Sequence, residues 1–303
     1  MLNKTFYSNG KLLFTAEYLV LDGAKALALP TIFGQDLVVK NIDINNLIWE
    51  SFDEKNKLWF SCSIDLPNQT LLSSTENNIA NALLRILNET QKLNPEFLKS
   101  SKGFHIKTKL SFPRNWGLGT SSTLINNIAQ WAKVDPFKLQ FKTFGGSAYD
   151  IACAKNNSPI LYQLQDQKPI IEKVNFNPNF SDQLYFVYLN KKQNSREGIA
   201  KYREFTGNIF AIAEEISQIT NAIINSKFIS DFEKLIVEHE KIIATVIQQK
   251  PIQEKLFSDY FGQTKSLGAW GGDFILATGN EDTPNYFKEK GFETVITYQD
   301  MIL

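Results

Sequence analysis

Trp116-Gly117-Leu118-Gly119-Thr120-Ser121-Ser122 is a glycine and hydroxyl turn set between a strand-like run and a helix-like run. Upstream, Phe104-His105-Ile106-Lys107-Thr108-Lys109-Leu110-Ser111-Phe112 alternates apolar and polar residues. That is the pattern of a strand with one buried face, and Pro113 stops its ladder. Downstream, Leu124, Ile125, Ile128, Ala129, Trp131 and Ala132 recur near helical spacing behind Thr120, Ser121 and Ser122, all good N-cap residues. The turn therefore opens a helix. Its glycines let the backbone approach a ligand without Cβ clashes, and the free N–H groups and positive dipole end of a first helical turn attract phosphate. Hydroxyls at this spot can reach phosphate oxygens or a magnesium ion. Taken alone, the stretch also reads as a plain glycine-rich turn with a serine cap. It has neither the Gly-Lys-Ser/Thr of a Walker A loop nor the dinucleotide Gly-x-Gly-x-x-Gly.

Working outward, the first forty residues read as β-structure: Thr5 to Tyr7, Lys11 to Leu21, and Ala26 to Leu29 ending at Pro30, with turns at Asn9-Gly10 and Asp22-Gly23. Residues 37 to 65 continue as a meander. Apolar positions at Ile79, Ala82, Leu83, Ile86 and Leu87 predict one amphipathic helix over 77–91. Past the central helix, Phe144-Gly145-Gly146-Ser147-Ala148-Tyr149-Asp150 is a second glycine-serine turn, and Ile151 to Ala154 starts another helix. The polar, proline-containing stretch from Gln165 to Asp182 is where a domain boundary is expected. Beyond it come the strand Leu184 to Leu189, long helices over 197–225 and 228–248, a strand at Phe274 to Ala277, a helix near 283–290 and a strand over 294–298.

With 303 residues the chain can bury substantial cores in one or two domains. Lys plus Arg equals Asp plus Glu at 32 each, so no global field favours nucleic acid or an anionic membrane, and any anion binding is local. Cys62 and Cys153 lie in apolar stretches and read as buried thiols of a reducing cytosol, with a disulfide as the alternative. His105 and His239 have no partners at metal-ligand spacing, so no zinc site is expected. No leader and no apolar run of about eighteen residues is found, which predicts a cytoplasmic protein without membrane partners.

Two further stretches join the central turn. Ser8-Asn9-Gly10-Lys11-Leu12-Leu13-Phe14-Thr15-Ala16-Glu17-Tyr18-Leu19-Val20 precedes it, and Lys265-Ser266-Leu267-Gly268-Ala269-Trp270-Gly271-Gly272-Asp273 follows it. In order, the three resemble the motifs of the GHMP kinases, the superfamily of galactokinase, homoserine kinase, mevalonate kinase and phosphomevalonate kinase, and the resemblance spans nearly the whole chain. It implies an α+β, two-domain GHMP kinase fold. Residues 1–175 would form an N-terminal mixed α/β domain with a left-handed βαβ-type nucleotide site, and residues 176–303 a ferredoxin-like α+β domain. It also implies ATP and Mg2+. Gly117, Leu118, Gly119, Thr120, Ser121 and Ser122 would wrap the nucleotide phosphates, with Ser121 on the metal.

Asp150 matches the aspartate that stands near the substrate hydroxyl in mevalonate kinase-like members, with Lys11 close by. A carboxylate there could take the proton as the hydroxyl attacks, while the ammonium holds it ionised. A helix cap for Asp150 and a solvated strand lysine for Lys11 are the structural alternatives. Glu17, Tyr18, Ser147, Gly271 and Gly272 are candidates for the substrate pocket. Lys192, Ser195 and Arg196 belong to a local basic patch suited to a carboxylate or phosphate, or are simply solvated.

Departures from the motifs are Asn9 for proline, Ala16 for glycine and Trp270 for glycine. A second metal-binding glutamate has no equivalent where Lys138-Leu139-Gln140 stands. Phosphomevalonate kinase-like sequences also lack it. The expectation is thus a mevalonate or phosphomevalonate kinase acting as monomer or homodimer on a small molecule. The alternatives are a kinase for another small alcohol, such as a sugar or homoserine, and a nucleotide-binding protein of this fold without turnover.

Overall fold

The computed structural model describes residues 3–99, 102–193 and 195–303. In chain order the elements are β1 (Lys4–Leu13), β2 (Ala26–Ile42), β3 (Asn46–Phe52), β4 (Leu58–Asp65), β5 (Thr70–Ser74) and α1 (Asn77–Leu93). Then come β6 (Gly103–Leu110), α2 (Thr120–Ala132), α3 (Pro136–Thr143), α4 (Tyr149–Lys155), β7 (Ile160–Gln165) and β8 (Lys168–Lys173). The rest is β9 (Leu184–Tyr188), α5 (Ser195–Arg203), α6 (Ile209–Ile224), α7 (Ile229–Val246), α8 (Ile252–Leu256), β10 (Thr264–Ser266), β11 (Phe274–Thr278), α9 (Thr283–Glu289), β12 (Val295–Thr297) and α10 (Tyr298–Met301).

Two compact units result, and neither is a single run of chain. The first comprises Met1–Gly10, Phe33–Arg114 and Leu118–Lys155; the second comprises Lys11–Ile32, Asn115–Gly117 and Asn156–Leu303. This differs from consecutive halves meeting near residue 175. The first half of the stretch read there as a boundary belongs to the β7–β8 hairpin, whose register pairs Gln165 with Lys168. Asp166 and Gln167, at φ of 48° and 59°, form its turn, and positive φ at both central residues suits the right-handed twist of the strands.

In the first unit, β3, β4 and β5 pair antiparallel as the meander predicts, but β6 returns beside β3 in parallel. Helix α1 makes that return possible, since parallel neighbours need a crossover. The other edge of β6 pairs antiparallel with β2, Gln35 opposite Leu110 through Ile42 opposite Gly103. The alternation of Phe104–Leu110 sends Ile106, Thr108 and Leu110 inward, where they join a core that includes Leu37, Val39, Trp49, Phe60, Leu83, Ile125 and Ile128. Burying each large apolar side chain contributes about 1.5–3 kcal/mol. The core therefore holds α1 and α2 on this sheet. Helix α3 is marked by Asp135, which accepts the Phe137 N–H at 2.9 Å, with Pro136 in the first turn.

Pro30, read as a strand end, lies inside β2. Ala26 to Ala28 pair with β7, Gln35 to Ile42 pair with β6, and β1 also pairs with β2; Pro30 lies in neither of the first two ladders, and its carbonyl accepts the Leu303 N–H at 3.1 Å. In the second unit, β9, α5–α8, β10, β11, α9 and β12 follow the β-α-β-β-α-β order, and the sheet runs β10-β11-β9-β12, the ferredoxin-like arrangement. Both central strands, β9 and β11, are buried throughout. The helix read over 197–225 is broken at Thr206-Gly207, and Asn208 caps the new start by accepting the Ala211 N–H at 3.1 Å. Among the described residues no helix is long and apolar enough to cross a membrane.

Candidate active site

The central turn has the geometry its composition predicts. Gly117 and Gly119 stand at φ of 68° and 92°, and Gly119 is the N-cap of α2 with no side-chain cap. The first N–H groups of α2 thus have no side chain to satisfy them, the condition that makes a helix start an anion site. The hydroxyls divide. Ser122 Oγ donates to the Gly119 carbonyl at 2.9 Å, and Thr123 Oγ1 reaches Gln35 Oε1 at 2.8 Å. Ser121 is exposed on the first turn of α2.

A buried polar network fixes this helix on its strands. Ser8 Oγ donates to Asn127 Oδ1 at 2.7 Å and accepts from Asn126 Nδ2 at 2.8 Å. Asn127 Nδ2 donates to the Gln35 carbonyl at 2.8 Å. These asparagines are 2% and 0% exposed, so each lost bond strands a partner away from water. Asn127→Ala is expected to lower the unfolding free energy by about 2–3 kcal/mol in urea titration. A loss under about 0.5 kcal/mol would show that the network adapts around the gap.

The second turn belongs to the same unit. Gly145 and Gly146 have φ of 69° and 81°, and a Cβ on either would meet nothing within 4 Å. Backbone angle, not crowding, calls for glycine there. Gln140, in the segment that lacks the expected glutamate, braces this turn: its Nε2 donates to the Gly145 carbonyl at 2.9 Å. Ser147 is buried, and Asp150 is half-buried in the first turn of α4.

In the second unit the first and third stretches meet. Glu17, 0% exposed, is ion-paired with Lys265, also 0% exposed, and Tyr18 Oη donates to the Ala269 carbonyl at 2.9 Å. Glu17 is thus a buried structural partner in this unit. His239 Nε2 stands 3.5 Å from Glu17 Oε2, but it accepts the Ala16 N–H at 2.9 Å and so has no proton to give the carboxylate. Burial and the Lys265 charge hold His239 well below the usual imidazole range, so it is neutral. Glu240 completes the cluster by accepting the Ser266 N–H and hydroxyl, the latter at 2.8 Å.

Tyr18 stacks on Tyr202 at 5.9 Å between centroids. Gly198 leaves room for it, since a Cβ there would fall 2.2 Å from the Tyr18 hydroxyl. Helix α5 is thereby seated on the first stretch; Ser195 and Arg196 open that helix, and their side chains lie outside the described ones. Lys11 is half-buried and Lys192 exposed. Gly272 is crowded, a Cβ there falling 2.6 Å from the Lys191 carbonyl, whereas Gly271, at φ 81°, has its nearest neighbours at 3.9 Å.

These stretches, like several turns elsewhere in the chain, hold left-handed backbone. Ala16, Tyr18, Ala148, Trp270 and Asp273 are non-glycine residues at φ of 63°, 64°, 62°, 48° and 52°. Each costs on the order of 1–3 kcal/mol, an expense that clusters at functional sites. Ala16 and Trp270 stand where the motifs carry glycine, and both adopt the left-handed backbone that glycine favours. Lys265 and Asp273 were missed as individual site residues. Lys265 stands at the start of the third stretch, and an acid at 273 ends it, signals that gain meaning only once the pairing is seen.

Among the described residues no three His, Cys, Asp or Glu side chains come together as a metal cage. A magnesium ion fits here in another way, since this hard cation keeps waters and binds through substrate phosphates with few protein oxygens. The exposed Ser121 hydroxyl beside the uncapped N–H groups is such an oxygen.

No family model and no curated protein matches the sequence. Solved structures do match. The mevalonate kinase of Methanococcus jannaschii aligns with a TM-score of 0.72 at 18% identity, covering 97% of this chain and 96% of that one. The Streptococcus pneumoniae phosphomevalonate kinase in complex with phosphomevalonate and AMPPNP aligns at 0.71 and 14%, covering 97% and 99%. The Lactococcus lactis galactokinase complexed with galactose aligns at 0.69 and 13%, covering 95% and 88%. Similarity over whole chains, together with three glycine-rich turns in the same order, shows that this chain has the GHMP kinase fold.

Proposed function

We propose that the chain is a phosphotransferase that moves the γ-phosphoryl of ATP onto mevalonate or phosphomevalonate. The observation that carries this reading is the left-handed, uncapped Gly119 opening α2, with its free first-turn donors and the exposed Ser121. Phosphoryl transfer asks a protein mainly for positioning and fixed charge, which such a turn supplies. Ser121 would hold magnesium, whose chemistry when bound is to neutralise charge on the phosphates.

Residues 117–122 grip the phosphates through backbone N–H groups. Asp150 takes the proton from the acceptor hydroxyl as its oxygen bonds to the γ-phosphorus and the bond to ADP breaks. With phosphomevalonate the attacking oxygen is already ionised, and Asp150 has less to do. The galactokinase similarity keeps a sugar as the alternative acceptor.

ADP release from ATP and magnesium, with mevalonate, phosphomevalonate, homoserine and galactose offered separately, tests the reading. A response to either mevalonate compound supports it; a response to galactose alone moves the acceptor, and silence with all four despite ATP binding removes it. Asp150→Asn is expected to lower kcat with mevalonate by about 10²-fold or more, the usual worth of a positioned general base. Near-full turnover with that hydroxyl acceptor would end the base assignment.

A further inference from the structure

The third turn carries a side chain that the proposed reaction leaves without a task. Asp273 is bonded on every side within the second unit. Its N–H donates to the Lys191 carbonyl at 2.7 Å, and its own carbonyl accepts the Leu189 N–H at 2.8 Å. Its Oδ1 accepts the Gln193 N–H at 3.2 Å. The carboxyl also fills the space in front of Gly117: a Cβ built there would lie 2.4 Å from both Cγ and Oδ2 of Asp273. The first glycine of the phosphate turn, the loop over 191–193 and the third turn therefore converge on one carboxylate.

Electrostatics agree with this placement. Burial pushes the Asp273 carboxyl up, while the charges of Lys11 and Lys192 and the Gln193 N–H act in the other direction. Both ammonium groups thus stand near enough to matter to it. A lone carboxylate beside an anion-gripping turn would repel phosphate.

We propose that Asp273 is a positioning residue for phosphotransfer, its carboxylate fixing the 191–193 loop against Gly117, the first glycine of the phosphate turn. The proposal rests on the kinase reading for its consequence and on the unit's own geometry for its placement.

Two variants remove the charge by different routes. Asp273→Asn keeps the shape and an acceptor for Gln193, whereas Asp273→Gly suits the φ of 52° and relieves backbone strain. Both are expected to lower kcat about tenfold or more while changing the KM for ATP less than about threefold, the pattern of an interaction felt in the transition state. In a Gly117→Ala background the same substitutions should change kcat by less than about twofold, because partners acting through each other are not additive.

A readout without turnover is amide hydrogen exchange over residues 191–193, followed by mass spectrometry. It should rise about threefold or more in Asp273→Gly, where the Gln193 N–H loses its acceptor. Unchanged exchange overturns the placement, and full additivity with Gly117→Ala overturns the coupling. If the unaltered protein shows no acceptor-dependent ADP release but exchange responds, the kinase reading fails while the Asp273 anchoring of the loop stands.

Discussion

Lys265→Met is expected to cost about 3–5 kcal/mol of unfolding free energy at pH 8, the usual result of removing one member of a buried ion pair. Methionine matches the lysine stem in length, so lost packing is a minor part of that cost. The charge decides. Glu17 and Glu240 are 0% and 2% exposed, and both face Lys265 electrostatically. Without it, two carboxylates share a dry core. Even with Lys265 present, burial pushes the Glu17 carboxyl from its ordinary 4.5 up to about 7, and Glu240 adds to the push.

The sign of the pH dependence follows. An acid whose folded value lies above its unfolded one makes the folded state bind the extra proton, so stability falls as pH rises from about 4.5 toward 7. At pH 5 Glu17 is largely neutral in the folded protein, and Lys265→Met should cost visibly less there than at pH 8. Urea unfolding at the two pH values reads the difference. Equal losses would mean that a packing defect, not an orphaned charge, is responsible. Adding Glu17→Gln to Lys265→Met should recover part of the stability at pH 8.

Gly117→Ala is the other substitution with a large expected effect, a loss of about 10²-fold or more in kcat/KM, comparable to a 1 Å displacement of a catalytic group. Two costs combine. At φ 68° an alanine pays roughly 1–2 kcal/mol against the left-handed backbone. Its Cβ would also lie 2.4 Å from the Asp273 carboxyl, which Leu189, Lys191 and Gln193 hold from three directions. Gly145→Ala separates the two costs, since its φ is 69° but nothing lies within 4 Å of the added carbon. It should lose stability alone, while Gly117→Ala loses stability and turnover. If the two variants behave alike in ADP release, the contact with Asp273 has no bearing on the phosphate turn.

Legibility in the sequence divides along physical lines. The central turn was readable because its signals are local: alternation over Phe104–Leu110, glycines, hydroxyls, then helical spacing. Helix α3 was equally readable from Asp135-Pro136 and was passed over. Pro30 stands inside a strand because a proline breaks a ladder only where an N–H is needed, and which residues of a long strand need one is set by the fold. Glu17 and Lys265 are 248 positions apart, so no window of sequence links them. The left-handed backbone at Ala16 and Trp270 was beyond reach for another reason: the usual mark of such angles is glycine, and here it has been replaced.

The division of β2 between the two units bears on synthesis. Residues 33–42 find their partners in β6 within the next seventy residues or so, but residues 11–32 belong to a unit that, apart from Asn115–Gly117, resumes only at Asn156. The bridge from Thr31 goes to Ile302, about 270 residues downstream. At about 5–20 residues per second, a ribosome takes roughly 15–50 s to supply that partner. Throughout that interval Leu12, Leu13, Phe14, Leu27 and Leu29, all buried in the finished protein, have no complete core to enter. The nascent chain thus carries an apolar segment that must be kept from wrong partners until Ile302 has been made, a demand that chaperone binding to this stretch would meet.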